Sequence, residues 1–306
     1  GEAVTVNDRY VFIAQHVENE RGHLVDAATW PAKGLRWWGV SRRACADFRE
    51  GTPFEGGQGG KGGTLKQSFK VVAEVPEGAA ESIRGLAATE AELFVAVKRE
   101  GMVRVYDVAT MAARRAWRVP RPDRLALDAG GSLWVLLAPE DEKTGAWGLA
   151  RFDAAGQEKT RLAFDVAVRP ADLAFDAQGR LLVSDVGVSQ QLLIYDVSGA
   201  GPPRLSGTFG EPRGLFDGPV AGRVGARRFN RPRGVGCDAA GNLYVANSGG
   251  TGGGSTVLES YAPDGALRWR RCGLFFVDLA DLGAGDEGSL FSKEERFAFD
   301  PSKPAG

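Results

Sequence analysis

The chain is short of the residues that reactive chemistry most often uses. It has 306 residues but only two histidines, His16 and His23, and both fall in one predicted loop, which nearly excludes chemistry built on histidines from several segments. Its three cysteines, Cys45, Cys237 and Cys272, lie far apart with no CxxC spacing, so neither a zinc site nor a disulfide framework is indicated. Cys237 falls on a predicted core strand, where a thiol serves as a small hydrophobe. No apolar run reaches the length of a membrane span, and no signal peptide is present. Charge of one sign is also missing: the net charge of −1 gives no global field for nucleic acid or an anionic membrane. There is no GxSxG, and Ser41, Ser184 and Ser248 have no base that can be placed beside them. Gly56-Gly-Gln-Gly-Gly-Lys-Gly-Gly63 fails as a phosphate loop because Gly follows Lys61 and Glu55 occupies the required first glycine.

What the sequence does contain is repetition. Asp128-Ala-Gly-Gly-Ser-Leu-Trp-Val, Asp176-Ala-Gln-Gly-Arg-Leu-Leu-Val and Asp238-Ala-Ala-Gly-Asn-Leu-Tyr-Val superpose without a gap. Each follows an Arg-Pro pair, at Arg121-Pro122, Arg169-Pro170 and Arg231-Pro232. Weaker copies run over 83–97 and 4–14. The clearest unit spells four strands at 234–238, 242–247, 256–262 and 266–270, with Gly241 and Pro263-Asp264-Gly265 in the turns. Alternation of period two with almost no amphipathic helix signal predicts an all-β chain. A four-stranded sheet repeated along one chain predicts a β-propeller.

The stretch RPRGVGCDAAGNLYVAN, with the turn and third strand after it, resembles the NHL repeat and the wider group of six-bladed NHL/gluconolactonase-like propellers. The expected fold is therefore a six-bladed β-propeller of four-stranded antiparallel blades, over 4–80, 82–119, 121–166, 169–209, 231–272 and 275–306. The last blade is incomplete: strands are expected at 276–281, 289–292 and 296–300, and no fourth follows. An open blade edge is unfavourable. Either the first residues close the ring or the natural protein continues.

Turns between first and second strands, and between third and fourth, are uniformly tight. Length variation collects in 16–34, 44–81, 139–147, 205–230 and 248–255, all expected on the opposite face. Long loops on a rigid scaffold are where binding groups are usually carried, so that face around the central channel is the predicted site.

Several constellations stand there, each beside a plainer reading. Asp185 and Asn247 end second strands at matching positions, and Asp278 and Asp281 flank the last first strand. Relatives in the resembled group hold Ca2+ on such oxygens, which implies Asp185, Asn247 and Asp281 as metal ligands. The relatives' glutamate near the chain start is not matched, and the plainer role is to bind loop amides. His16 and His23 would need Asp26 or Glu20 as partners to form a metal or proton-transfer site. Arg223, Arg227, Arg228, Arg231 and Arg233 form a run without acids; they either clamp phosphate, sulfate, uronate or an RNA backbone, or brace neighbouring blades. Trp30 and Trp147 fall in loops and offer stacking platforms for sugars, whereas one of Trp37 and Trp38 must face inward by strand alternation.

The expectation is an NHL-like binding or interaction module, exported from the cell, with ligand contacts from Trp30, Trp147, Arg223, Arg227 and Arg228. It carries no cofactor, or else Ca2+. Its partner is a protein or glycan rather than nucleic acid, and it belongs to a larger chain or complex. The alternatives are a metal-dependent enzyme acting on a sugar, lactone or polysaccharide, and an RNA-binding propeller.

Overall fold

The computed structural model describes residues 3–18, 30–47, 49–60, 65–80, 82–219, 222, 224–248, 256–273, 280–282, 289–292 and 296–298. The chain divides into two compact units, residues 1–169 with 196–204, and residues 170–195 with 205–306.

In the first unit, β1 (Ala3–Val6), β2 (Tyr10–Glu18), β3 (Leu35–Ala44) and β4 (Phe69–Pro76) form one antiparallel sheet in chain order. A second holds β5 (Ile83–Ala88), β6 (Glu92–Val97), β7 (Met102–Asp107) and β8 (Ala113–Arg118). A third holds β9 (Pro122–Leu127), β10 (Leu133–Leu137), β11 (Gly148–Phe152) and β12 (Glu158–Ala163). The leading strands β1, β5 and β9 pack side by side. Second strands are the most deeply buried: in β6, Leu93, Val95 and Val97 pack with the first sheet and Phe94 and Ala96 with the third, so both faces are covered. Outer strands such as β8 and β12 alternate exposed with half-buried positions.

The second unit repeats the scheme with β13 (Pro170–Phe175), β14 (Leu181–Asp185), β15 (Leu192–Asp196) and β16 (Arg204–Phe209), then β17 (Pro232–Cys237), β18 (Leu243–Ser248), β19 (Thr256–Tyr261) and β20 (Leu267–Gly273). A three-stranded sheet of β21 (Ala280–Leu282), β22 (Ser289–Ser292) and β23 (Arg296–Ala298) follows.

These are propeller blades, and the expected count of six is corrected: among the described residues five are complete and the last sheet has three strands. Residues Ala3–Val6 pair with β2 inside the first blade, in the register Val4↔Ile13, so they are the first blade's own leading strand.

The repeated aspartate explains the tight turns. Asp128 Oδ1 accepts the Ser132 amide at 2.9 Å and its Oδ2 accepts Trp134 Nε1 at 3.1 Å. Asp238 does the same for the Asn242 amide, at 2.8 Å, and for the Tyr244 hydroxyl, at 2.9 Å. Gly131 and Gly241 follow at φ 80° and 81°, a left-handed conformation that glycine adopts without strain. No helix among the described residues is long and apolar enough to cross a membrane.

Candidate functional site

A cleft of about 580 Å³ opens in the first unit between the second and third blades. One wall is Lys98–Glu100, a single 3-10 turn that joins β6 to β7 and ends on Gly101 in the left-handed conformation. A second is Pro120-Arg121, just ahead of β9, and a third is Glu142 from the loop between β10 and β11. These are the strand connections expected to face the loop-bearing side, and they bring Lys98, Arg99 and Arg121 together with Glu100 and Glu142.

The cleft's floor is charged and ordered. Lys98 Nζ donates to Asp123 Oδ2 at 3.1 Å and also to Glu142 Oε1. Asp123, buried at the start of β9, accepts Arg84 Nε at 3.3 Å on the same oxygen, and Arg124 Nε stands 3.7 Å from its other one. Arg121 is held at φ 45° by its own contacts: its Nε donates to the Ala138 carbonyl, whose residue returns a backbone bond to Arg121. Its Nη2 stands 3.5 Å from Glu142. Arg99, by contrast, is exposed at the rim. Cations and carboxylates thus converge on one concavity that can receive a ligand bearing both an anionic group and hydroxyls.

The residues singled out from the sequence fall in different places. Trp147 is enclosed, at 7% exposure, with Lys98 Nζ 5.9 Å from its ring centre and its indole nitrogen without a partner among the described residues. It is a wall behind Lys98 and has no open face on which a sugar could stack. Trp30 is half-buried against the cluster of Val17, Leu65 and Phe69. Trp38 is the inward member of its pair, and Trp37 sends Nε1 to Glu74 at 2.7 Å.

Arg227 donates Nε and Nη2 to the Gly265 carbonyl, at 3.1 and 2.6 Å, and lies over Phe209, while Arg228 donates to the Asp217 carbonyl. Both act as braces between the connection ahead of β17 and its surroundings. Arg231 has a positive φ of 53°, and its amide donates to Gln190 Oε1. Arg223 lies outside the described residues, as do Asp278, His23, Asp26 and Glu20.

Asp185 and Asn247 do occupy equivalent positions, opposite Pro170 and Pro232, each beside a bulge in the leading strand. Both are buried, at 1% and 4% exposure, and both bind loop amides. Asp185 accepts Gly187 N–H at 2.7 Å and the Ser189 hydroxyl; Asn247 Oδ1 accepts Asn230 N–H at 3.2 Å, and its Nδ2 donates to Glu259. The side chain of Asp281, on β21, is outside the description. Among the described residues no group of three or more His, Cys, Asp or Glu is placed to hold a metal ion. His16 sits on the edge of β2 with Nε2 3.3 Å from Glu18 and its ring against Trp38.

No protein-family model matches the sequence, and no curated protein matches it. Solved structures do. A protein of unknown function from Bacteroides caccae aligns at 10% identity over 89% of this chain and 81% of its own, with a TM-score of 0.50. A putative 6-phosphogluconolactonase from Bacteroides uniformis aligns at 10% identity over 98% and 85%, with a TM-score of 0.48. Hydrazine synthase from Kuenenia stuttgartiensis aligns at 15% identity over 71% of this chain, which spans only 58% of that one, with a TM-score of 0.46. The fold is a β-propeller. Identities this low speak for the propeller's architecture alone.

The cleft residues Lys98, Arg121 and Glu142 escaped the sequence reading because they come from three separate connections. One signal was present: Arg121 belongs to the repeated Arg-Pro pair, whose positive φ recurs at Arg231.

Proposed function

We propose that this chain is an NHL-like propeller module that binds an acidic, hydroxyl-rich ligand, a uronate-containing oligosaccharide, in the cleft walled by Lys98–Gly101, Arg121 and Glu142. The observation that supports this is the convergence of three cations and two carboxylates, from separate strand connections, on one cleft of about 580 Å³. That volume falls within the range of known small-ligand pockets. Arg99 and Arg121 receive the sugar carboxylate, because a planar guanidinium matches its two oxygens. Glu142 and Glu100 accept hydroxyl donors and disfavour polyanions such as RNA. The buried carboxylate of Asp123 keeps Lys98 in place beneath them.

Isothermal titration with tri-galacturonate tests the reading. The expected result is one saturable site whose affinity falls about tenfold or more in Arg121→Ala and Arg99→Ala, and weakens as salt rises. No binding, or binding indifferent to both substitutions, overturns it. Depolymerised or lactone-opened product in the titration cell would replace the binding module with an enzyme.

A further inference from the structure

The second unit contains a cavity that the proposed oligosaccharide site does not use, and comparison of two blade interfaces shows where it comes from. Between the second and third blades, Trp117 on β8 and Leu127 at the end of β9 complete a buried apolar layer that includes Phe94, Leu133 and Phe152. Trp117 stands edge-on to Phe94, with ring centres 6.4 Å apart, and covers Gly156 in the turn after β11. Between the fourth and fifth blades the same layer is thinner. Leu127 pairs with Leu133 across the sheet; the residue that pairs with the matching Leu243 is Cys237. The outer strand β16 reads RLSGTF and carries no tryptophan. Its one aromatic residue, the smaller Phe209, packs with Tyr261 at 5.0 Å and Phe229 at 6.1 Å, and shares the cover of Gly265, in the turn after β19, with Arg227.

The missing bulk leaves a cavity of about 260 Å³. Its walls are Leu182, Leu192, Ile194, Phe209, Leu243 and the Cys237 thiol. This exceeds the ~150 Å³ of an engineered apolar cavity that takes up benzene, and it is far too small for a peptide segment. The polar lining is confined to one end, where Gln178 and Arg180 are exposed. There the Asp176 carboxylate is already engaged by Arg180 Nε at 2.7 Å and by the amides of Gln178 and Arg180, both at 2.9 Å, so the mouth offers hydrogen bonds but no unpaired charge. Burial pushes the Cys237 thiol up, which keeps it neutral as well.

We propose that this interblade cavity, closed at its base by Cys237 and Leu243, is a second ligand site, for a neutral monocyclic aromatic compound carrying one hydroxyl. The ring lies between the two blade faces against Phe209 and the Cys237 sulfur, and the hydroxyl meets the Gln178 and Arg180 end.

The test uses 4-fluorobenzyl alcohol, observed by fluorine NMR, on the full chain carrying Cys45→Ser and Cys272→Ser, since both of those thiols are exposed. The expected result is saturable one-to-one binding that slows alkylation of Cys237 by N-ethylmaleimide at least several-fold at saturation. Cys237→Leu, which restores the bulk that Leu127 supplies in the other interface, lowers affinity roughly tenfold or more without lowering the melting temperature. Ile194→Trp, which fills the cavity from the opposite wall, abolishes the fluorine signal change in the same way. Absence of saturable binding, unchanged alkylation at saturation, or binding that survives both substitutions overturns the assignment.

Discussion

The ammonium of Lys98 lies 3.1 Å from the carboxylate of Asp123, joining the turn after β6 to the first residues of β9, with side-chain exposures of 12% and 3%. Arg84 and Arg124 crowd the same carboxylate. Asp123→Ala removes the buried carboxylate that three cations share, and chemical denaturation should show a loss of about 3–5 kcal/mol. Lys98→Met leaves Asp123 two cationic neighbours and should cost less, about 1–3 kcal/mol. Equal losses in the two variants would mean that the carboxylate is not the centre of the network.

Arg42 braces the first blade against the second. Its guanidinium donates to the carbonyls of Val108 at 3.0 Å, Ala109 at 2.5 Å and Pro53 at 2.8 Å, between the rings of Tyr10 and Phe54. Arg42→Ala should lower stability by about 3 kcal/mol, because the buried Val108 carbonyl and two part-buried ones lose their donor together. Arg42→Lys should recover less than half of this, since one ammonium cannot reach three carbonyls in a plane. Thermal melts of both variants check it, and full recovery by lysine would contradict the fork geometry.

Two glycines at matching bulges should respond differently to a methyl group. A Cβ on Gly85 would meet the Asp123 carbonyl at 2.2 Å, where β5 and β9 approach closely. On Gly234 the nearest atom is the Ala246 Cβ at 3.3 Å. Gly85→Ala should destabilise by more than about 2 kcal/mol and Gly234→Ala by less than about 1 kcal/mol, read from denaturant midpoints. The reverse order would show that the leading strands separate easily.

Acid stability should depend on Asp107. The Thr110 amide and Arg114 hold its carboxyl down to about 2, against an ordinary value of 3.8. A carboxylate depressed in the folded state contributes stability in full above its unfolded pKa and loses it as pH falls towards the folded one. The stability curve should therefore drop between about pH 4 and pH 2, and Asp107→Asn should flatten that limb. Asp153 and Asp238 are also held low, by Lys159 and Asn242, so the drop is reduced rather than abolished in the single variant.

The sequence by itself determined the all-β class, the blade repeat and most strand limits, because these follow from local chemistry. Asp238 and Gly241 make a tight turn with atoms six residues or fewer apart, and alternation in β3 buries Trp38 while Trp37 reaches Glu74. The strands 289–292 and 256–261 fell where the pattern put them or within a residue of it. Tertiary structure decided which polar groups are available. Asp185 and Asn247 matched in sequence and in register, yet folding turned both towards loop amides. Trp147 sits in a loop by sequence but is covered in the fold, and Arg227 and Arg228 are used by carbonyls tens of residues or about ten residues away. The cleft joins Lys98, Arg121 and Glu142 across three connections, and the interblade cavity exists because Cys237 replaces the bulk of Leu127 in a different interface. Periodicity records how each strand meets its own sheet. It carries no record of what the next blade brings against it, and that decides both burial and unfilled space.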